Sequence, residues 1–476
     1  MVDALWTIVR CRHGPGTQRL HKPVKRNTSI NRGREAAPAR VCALTVIRRV
    51  AEEGAWADRA LHAEAERLRL DARDRALATR LAYGTVQRLA TLDHLVTTLA
   101  RRPPARLEPV VLAALRLGLF QLVYLDRIPD HAAVGESVAL VKPHSTGGAK
   151  LVNAVLRRGA REAPGLVAAL PDATPAEAAL KHSYPAWIAE LWFATFGAAH
   201  ARALMAAGNE PAEAVLRANT LRTSRDALAA ALPVVAHPAP GLPEGLVLDA
   251  PFDAFASPLW AEGRLMPQSR AAMTVGRLLG PRAGERVLDL CAAPGAKTTH
   301  LAALMEDRGA VVAVERHPGR AEALRRTAAR MGATAVEVRT GDAADPHEAA
   351  AYDRVLVDPP CSDLGTLASR PDARWRKDPD TPERLARLQA RILRAGADAL
   401  KPGGTLVYST CTISPAENED VVGAFLAERS DFRADDLRPE APLWNHARVP
   451  GLLQTLPHRD GTEGFFIARL RREPTA

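Results

Sequence analysis

The spacing of apolar positions divides the chain into three regions. From about residue 37 to 165 the pattern is helical. Val41, Leu44 and Ile47 open an amphipathic stretch, and "VVLAALRLGLFQLVYL" (110–125) is apolar on nearly every face, as a central helix would be. Pro103, Pro104 and Pro129 punctuate the helices, and "LVNAVLRRGAR" (151–161) closes the region with an apolar face and a basic end. No two-residue alternation occurs, so an all-α bundle is expected. From 166 to 268 the character changes. Thr174 before Pro175 predicts a helix start. The runs "AVLRANT" (214–220), "PVVAH" (233–237) and "GLVLD" (245–249) predict short strands around a helical piece and a proline-rich loop, hence a small α+β module. From 269 to 476, "ERVLDL", "AVVAVE", "AVEVRT", "YDRVLVD" and "GTLVYST" alternate with helical segments, and "GFFIARLRR" reads as a late strand. Such alternation implies βαβ units on a parallel, doubly wound Rossmann-like sheet.

Composition adds constraints. No apolar run reaches the roughly 18–20 residues needed to span a bilayer, and the first residues lack a signal-peptide core, so a cytoplasmic protein is expected. The five cysteines are widely spaced with no CxxC pair, which argues against a disulfide framework and a structural metal site. Net charge is +10, which favours a polyanionic partner. Residues 1–36 carry eight Lys or Arg against Asp3 and Glu35 and read as a disordered basic arm.

The segment "VLDLCAAPGAKTTHLAAL" (287–304) reads as strand, tight loop and helix. Small residues from Cys291 through Ala292, Ala293, Pro294, Gly295 and Ala296 to Lys297 would let a ligand approach the backbone. Glu315, 20 residues after Gly295, suits the two hydroxyls of a ribose, and Asp342 in "TGDAAD" suits an adenine amino group. The pattern is neither GxGxxG nor GxxxxGK[ST]. An adenosine-bearing cofactor without a pyrophosphate is favoured, with S-adenosylmethionine the leading candidate.

Two cysteines then stand out. Cys361 follows the fourth strand in "VLVDPPCSDLG", and Cys411 ends the fifth in "LVYSTCT". Neighbouring strands would bring both thiols to one crevice. A thiol pair suits methylation at a pyrimidine C5, which becomes nucleophilic only after a thiolate adds at C6. Asp358 could stabilise the base near N3, and a helper must assist loss of the C5 proton.

Taken together, "DLCAAPGAKT", "VDPPCSDLGTLASRPDARW", "LKPGGTLVYSTCTISPAENEDVV" and "GTEGFFIARL" resemble the Sun family of RNA cytosine-5 methyltransferases. The helical region, through "RDRALATRLAYGTVQRLATLDHLV", "IPDHAAVGESVALVK" and "KLVNAVLRR", resembles the NusB-like RNA-binding domain fused to its bacterial small-subunit (16S) ribosomal RNA branch. The resemblance implies Cys411 as nucleophile and Cys361 as the residue aiding release, beside Asp358, the third catalytic group from the chemistry above. It implies cofactor contacts from Cys291–Lys297, Glu315, Asp342 and Asp358, and ribosomal RNA as substrate; a monomer without a metal is expected. The chain departs from the family at Ala296, where a second glycine is usual, at Ser269 and Ala272, and at Pro359. Two other functions fit parts of the pattern: an amino-group methyltransferase, from Asp-Pro-Pro, and an assembly factor with a retained methyltransferase fold. Arg370, Arg374 and Trp375 are expected to touch RNA. Lys401 is expected to close a helix, and His131 to cap a helix or lie in a core.

Overall fold

The computed structural model describes residues 36–474. The basic arm, except for Ala36, and Cys11 lie outside the described residues. The chain forms two compact units that divide at Pro171 and Asp172.

The first unit is all-α. Its helices are α1 (Pro38–Glu53), α2 (Ala57–Arg67), α3 (Ala72–Gln87), α4 (Leu89–Ala100), α5 (Pro109–Tyr124), α6 (Asp130–Val141) and α7 (Thr146–Ala168). Helix α5 is the centre, packed against α1, α3, α4, α6 and α7, as its all-round apolar sequence requires. Polar locks hold the rim. Asp71 and Ser145 cap α3 and α7 by accepting from the N–H groups of Asp74 and Gly148, and Arg116 on α5 grips both carboxylate oxygens of Asp93 at 2.7 and 2.8 Å. Arg157 and Arg161 are exposed, whereas Arg158 bonds Glu162 and the Leu99 carbonyl. His131 is exposed near the start of α6, neither a cap nor a core residue.

The second unit begins with α8 (Pro175–His182), opened by a full capping box. Thr174 Oγ1 accepts from Glu177 N–H, and Glu177 Oε2 accepts from Thr174 N–H at 2.9 Å. Helix α9 (Ala186–Ala207) follows and bends at Gly197. A small antiparallel sheet comes next: β1 (Val215–Ala218), β2 (Ala236–Pro238), β3 (Gly245–Leu248) and β4 (Leu265–Pro267), ordered β2-β3-β1-β4, with α10 (Arg225–Ala231) and α11 (Pro258–Ala261). The run expected at 233–237 forms its strand slightly later, and β4 was not anticipated, because three residues carry no periodicity.

The large sheet contains β5 (Arg286–Leu290), β6 (Ala310–Glu315), β7 (Val336–Thr340), β8 (Tyr352–Val357), β9 (Leu400–Thr410), β10 (Phe432–Ala434), β11 (Leu453–Gln454) and β12 (Phe466–Arg472). The order is β10-β12-β9-β8-β5-β6-β7, with β11 beside β12. Strands β5 to β9 pair in parallel, and β12 joins β9 antiparallel. Helices α12 (Arg270–Leu279), α13 (Ala296–Leu304), α14 (Pro318–Met331), α15 (Thr381–Ala399), α16 (Glu419–Glu428) and α17 (Pro457–Asp460) complete the unit. Alternate residues face opposite layers. Leu288, Leu290, Val355 and Val357 join Ile392 and Leu393 of α15. Val287, Leu356 and Val407 join Val275 of α12 and Leu301 of α13. The order reverses between β5 and β8, which opens a crevice at their C-terminal ends.

Two expectations are corrected here. Lys401 does not close a helix. It lies at the start of β9, in a register shift of the β8–β9 ladder, and its Nζ is 2.6 Å from Asp353 Oδ1. Arg374 is fully buried and does not face solvent. Its guanidinium donates to Ser183 O (3.1 Å), Asn209 Oδ1 (2.8 Å) and Gly208 O (2.9 Å) and lies 3.9 Å over the Tyr184 ring. It therefore binds the loops after α8 and α9. Removing a buried charged donor strands its acceptors. Arg374→Met is expected to lower the stability of this unit by about 3 kcal/mol in urea unfolding. The salt slope of RNA binding should stay as in the wild type, whereas loss of one phosphate contact would lower it by about 0.7 for a single strand.

Candidate active site

The first wall of the crevice is the loop after β5. Cys291 takes φ 67° and Gly295 φ 103°, which turns the chain sharply into α13. A Cβ at Gly295 would also lie 2.5 Å from Leu324 Cδ1, so the position excludes side chains twice over. Helix α13 starts with no side-chain cap, leaving first-turn N–H groups to a ligand or water. Asp289, at the strand end, is buried and accepts from Thr298 Oγ1 at 2.7 Å. Burial pushes its carboxyl up to about 7, Asp358 adds to the rise, and the Thr298 bond opposes it.

Glu315 ends β6 and is 3% exposed. Its Oε1 accepts from His317 N–H at 2.9 Å, and Arg320 Nη2 lies 3.5 Å from Oε2. Asp342 follows β7, partly buried, with its Oδ1 accepting from Ala344 N–H at 3.0 Å. The loop 291–297, Glu315 and Asp342 thus stand at the ends of three adjacent strands. The Cys291 thiol is pushed up, chiefly by burial and then by the Asp358, Asp289 and Glu315 carboxylates.

The second wall comes from β8 and β9. Asp358 bridges the walls: Lys297 Nζ donates to its Oδ2 at 2.8 Å and Ser409 Oγ to its Oδ1 at 2.9 Å. Burial opposes the Lys297 charge, but Asp358 more than compensates, so the ammonium is held above its ordinary range. Cys361, after β8, and Cys411, after β9, bring their Sγ atoms to 3.3 Å. The bond to Cys411, then burial, raises the Cys361 thiol well above its usual value.

Several groups at this site were not anticipated. Asp363 Oδ1 accepts from Cys411 Sγ–H at 3.3 Å. Burial disfavours the Asp363 charge, yet Arg370 at 2.8 Å and Lys377 at 3.2 Å hold its carboxyl below the ordinary range. Arg370, expected to touch RNA, is therefore engaged within the site. Glu417 is buried and accepts from Ser362 N–H at 2.8 Å and Gln389 Nε2 at 3.0 Å, with Ser362 Oγ on its other oxygen, so it fastens the Cys361 loop. Gly365 N–H donates to Cys411 O at 3.0 Å, and Gly464 N–H donates to Gly365 O at 2.8 Å. A Cβ at Gly365 would overlap the Gly464 backbone, so only glycine permits this approach. The one sequence signal for Asp363 was an acid two residues beyond the thiol in "PPCSD".

Residues 276–471 match the family model described as 16S rRNA methyltransferase RsmB/F. Residues 37–161 match the NusB family, and 184–254 match the RsmF/B-like ferredoxin-like domain. The chain is 38% identical over 444 residues to the probable ribosomal RNA small subunit methyltransferase B of Synechocystis sp., covering 91% of this chain and 99% of that one. It belongs to the RsmB/F methyltransferase family. Ribosomal RNA small subunit methyltransferase B of Thermus thermophilus is 39% identical over 84% of this chain and 89% of its own. The crystal structure of PH0851 superposes with a TM-score of 0.78 at 25% identity, over 93% of this chain and 100% of that one. The three segments agree with a helical NusB-like domain, a small ferredoxin-like module and a mixed-sheet methyltransferase domain. Among the described residues no helix is long and apolar enough to cross a membrane.

The perturbed carboxyl of this RsmB/F site generates a pH prediction. The folded-state pKa of Asp289, about 7, lies above the unfolded value of about 3.9. Its contribution to stability is therefore complete below about pH 4 and is lost as pH rises through 7. The wild-type melting temperature should fall more between pH 5 and pH 8 than that of Asp289→Asn. Parallel pH profiles in thermal scans would remove Asp289 as the cause.

Proposed function

We propose that this protein transfers a methyl group from S-adenosylmethionine to C5 of a cytosine in 16S ribosomal RNA. The observation that carries this reading is the pair of thiols 3.3 Å apart at the ends of adjacent parallel strands, beside the Lys297–Asp358 ion pair. Membership of the RsmB/F family supports the methyl-transfer class and the RNA substrate. S-adenosylmethionine, when bound, supplies an electrophilic methyl group. The crevice suits it: the Gly295 turn leaves the backbone bare, Glu315 can take the ribose hydroxyls, and Asp342 can take the adenine amino group.

In this mechanism Cys411 adds to C6 of the cytosine and makes C5 nucleophilic. Asp358 stabilises the activated base near N3, with Lys297 neutralising the carboxylate. After methyl transfer, Cys361 assists loss of the C5 proton, which lets Cys411 leave. The NusB-like unit and the basic residues 1–36 would supply affinity for the RNA backbone rather than chemistry.

The two cysteines should fail differently. Cys411→Ala is expected to lose methylation and form no covalent complex. Cys361→Ala should still transfer the methyl but accumulate an RNA-linked species that survives boiling in detergent. A denaturing gel with RNA and cofactor distinguishes them, and nucleoside mass analysis of the wild-type product must give 5-methylcytidine. An adduct from Cys411→Ala alone would reverse the assignment. For the cofactor, Glu315→Ala should weaken binding at least tenfold in calorimetry, since a hydrogen bond to a charged group contributes about 1.5–3 kcal/mol. Unchanged affinity would remove Glu315 from the site.

A further inference from the structure

The covalent reading leaves a proton without an owner. A free thiol is only a few per cent ionised near neutrality, so Cys411 must lose its proton as it attacks. Lys297 is a cation engaged with Asp358, and Cys361 is itself a thiol held in its neutral form by burial and by Cys411. Among the described residues the one carboxylate bonded to the Cys411 thiol is Asp363, at 3.3 Å, and the same oxygen lies 3.9 Å from Cys361 Sγ.

We propose that Asp363 is a further catalytic residue, which takes the Cys411 proton during attack and returns it at release. The inference rests on the cytosine-C5 reading. In the addition step the S–H bond of Cys411 breaks, the S–C6 bond forms, the C5–C6 π pair moves into the base, and the proton passes to an Asp363 oxygen. That pair then forms the C5–methyl bond as the methyl group is transferred; in the elimination step the C5–H bond breaks, its pair re-forms the double bond, and the proton passes to a water molecule beside Cys361. The S–C6 pair then returns to sulfur, which recovers the proton from Asp363.

The surroundings make this carboxylate adjustable. Facing it are Cys361 on its own loop, Cys411 from the end of β9, and Arg370 and Lys377 from the segment before α15. Arg370 Nη1 is 2.8 Å from the oxygen that meets the thiol, and Lys377 Nζ is 3.2 Å from the other. Glu463 approaches through Ser369 at 2.7 Å, and Glu417 acts from behind Ser362. Lys297 and Asp358 lie beyond Cys411. The Arg370 side chain is 39% exposed, so a phosphate of bound RNA can compete for it. Each share of that guanidinium drawn to the RNA leaves Asp363 more basic. The nucleophile is thereby activated when the substrate docks.

The test uses the full chain carrying Asp363→Asn, which keeps the shape and removes the charge. Methyl transfer to small-subunit RNA from cells lacking the enzyme should fall on the order of 100-fold or more, the range for loss of a positioned base. Iodoacetamide labelling of Cys411 in the absence of RNA, followed by peptide mass analysis across pH 6–10, should move the other way. Without the neighbouring negative charge, and with Arg370 and Lys377 unopposed, the thiolate is favoured, so labelling at pH 7 should hold or rise. A merely structural Asp363 would slow both reactions together, and that result overturns the proposal. Methyl transfer within threefold of wild type overturns it as well. Asp363→Glu should recover part of the transfer rate, because it restores a carboxylate; recovery no better than with asparagine counts against the base. The cytosine-C5 reading fails separately, if the wild-type product is not 5-methylcytidine, and the labelling arm does not depend on that outcome.

Discussion

The parallel ladder between β8 and β9 sets Val357 opposite Tyr408, and this register fixes how near two unrelated loops can come. The segments leaving these strands carry Cys361 and Cys411, separated by 50 residues of sequence yet 3.3 Å apart. A slip of one residue would turn Leu356 and Val357 to the wrong layers, so hydrophobic burial on both faces enforces the register. Glu417 then holds the loop after β8 through Ser362 N–H, and Gly365 N–H holds the Cys411 carbonyl. The chemistry thus inherits its precision from a buried, two-sided sheet.

Charge is arranged around this pair in a graded way. Asp289 lies deepest and tends toward the neutral form, while Asp358 and Asp363 each face a cation. A low-dielectric crevice magnifies every such difference. Carboxyls of one chemical type therefore stand in distinct states here, Asp289 on the Thr298 hydroxyl, Asp358 on Lys297 and Asp363 on Arg370 and Lys377, according to what neutralises each.

Much of this was legible in the sequence, and the reasons are local. The strands of the large sheet are short apolar runs with clear boundaries. Thr174 before Pro175 marks the start of α8, where the structure adds Glu177 to complete a capping box. The Cys291–Lys297 turn and Glu315 sit where a strand–loop–helix unit must present them. What escaped detection was non-local. Arg374 looks like an RNA contact in a basic segment, but its acceptors at Ser183 and Gly208 lie 191 and 166 positions away. Asp363 has meaning only once Cys411, 48 residues later, is folded against it. Lys401 follows a helix and precedes two glycines, a pattern that fits a helix end as well as the irregular start of a strand. Strand β4 is too short to show a period.

The Gly365–Gly464 approach ties this centre to the far end of the polypeptide. Gly464 lies two residues before β12, which inserts between β9 and β10. During synthesis the N-terminal helical unit can fold while the remainder is still on the ribosome. The cysteine-bearing loops, by contrast, lack their last backbone clamp until residues 464–472 have emerged. The thiol-bearing loops are therefore framed only once β12 has been made, and a nascent chain that stops before Gly464 would carry both thiols without the frame that aligns them.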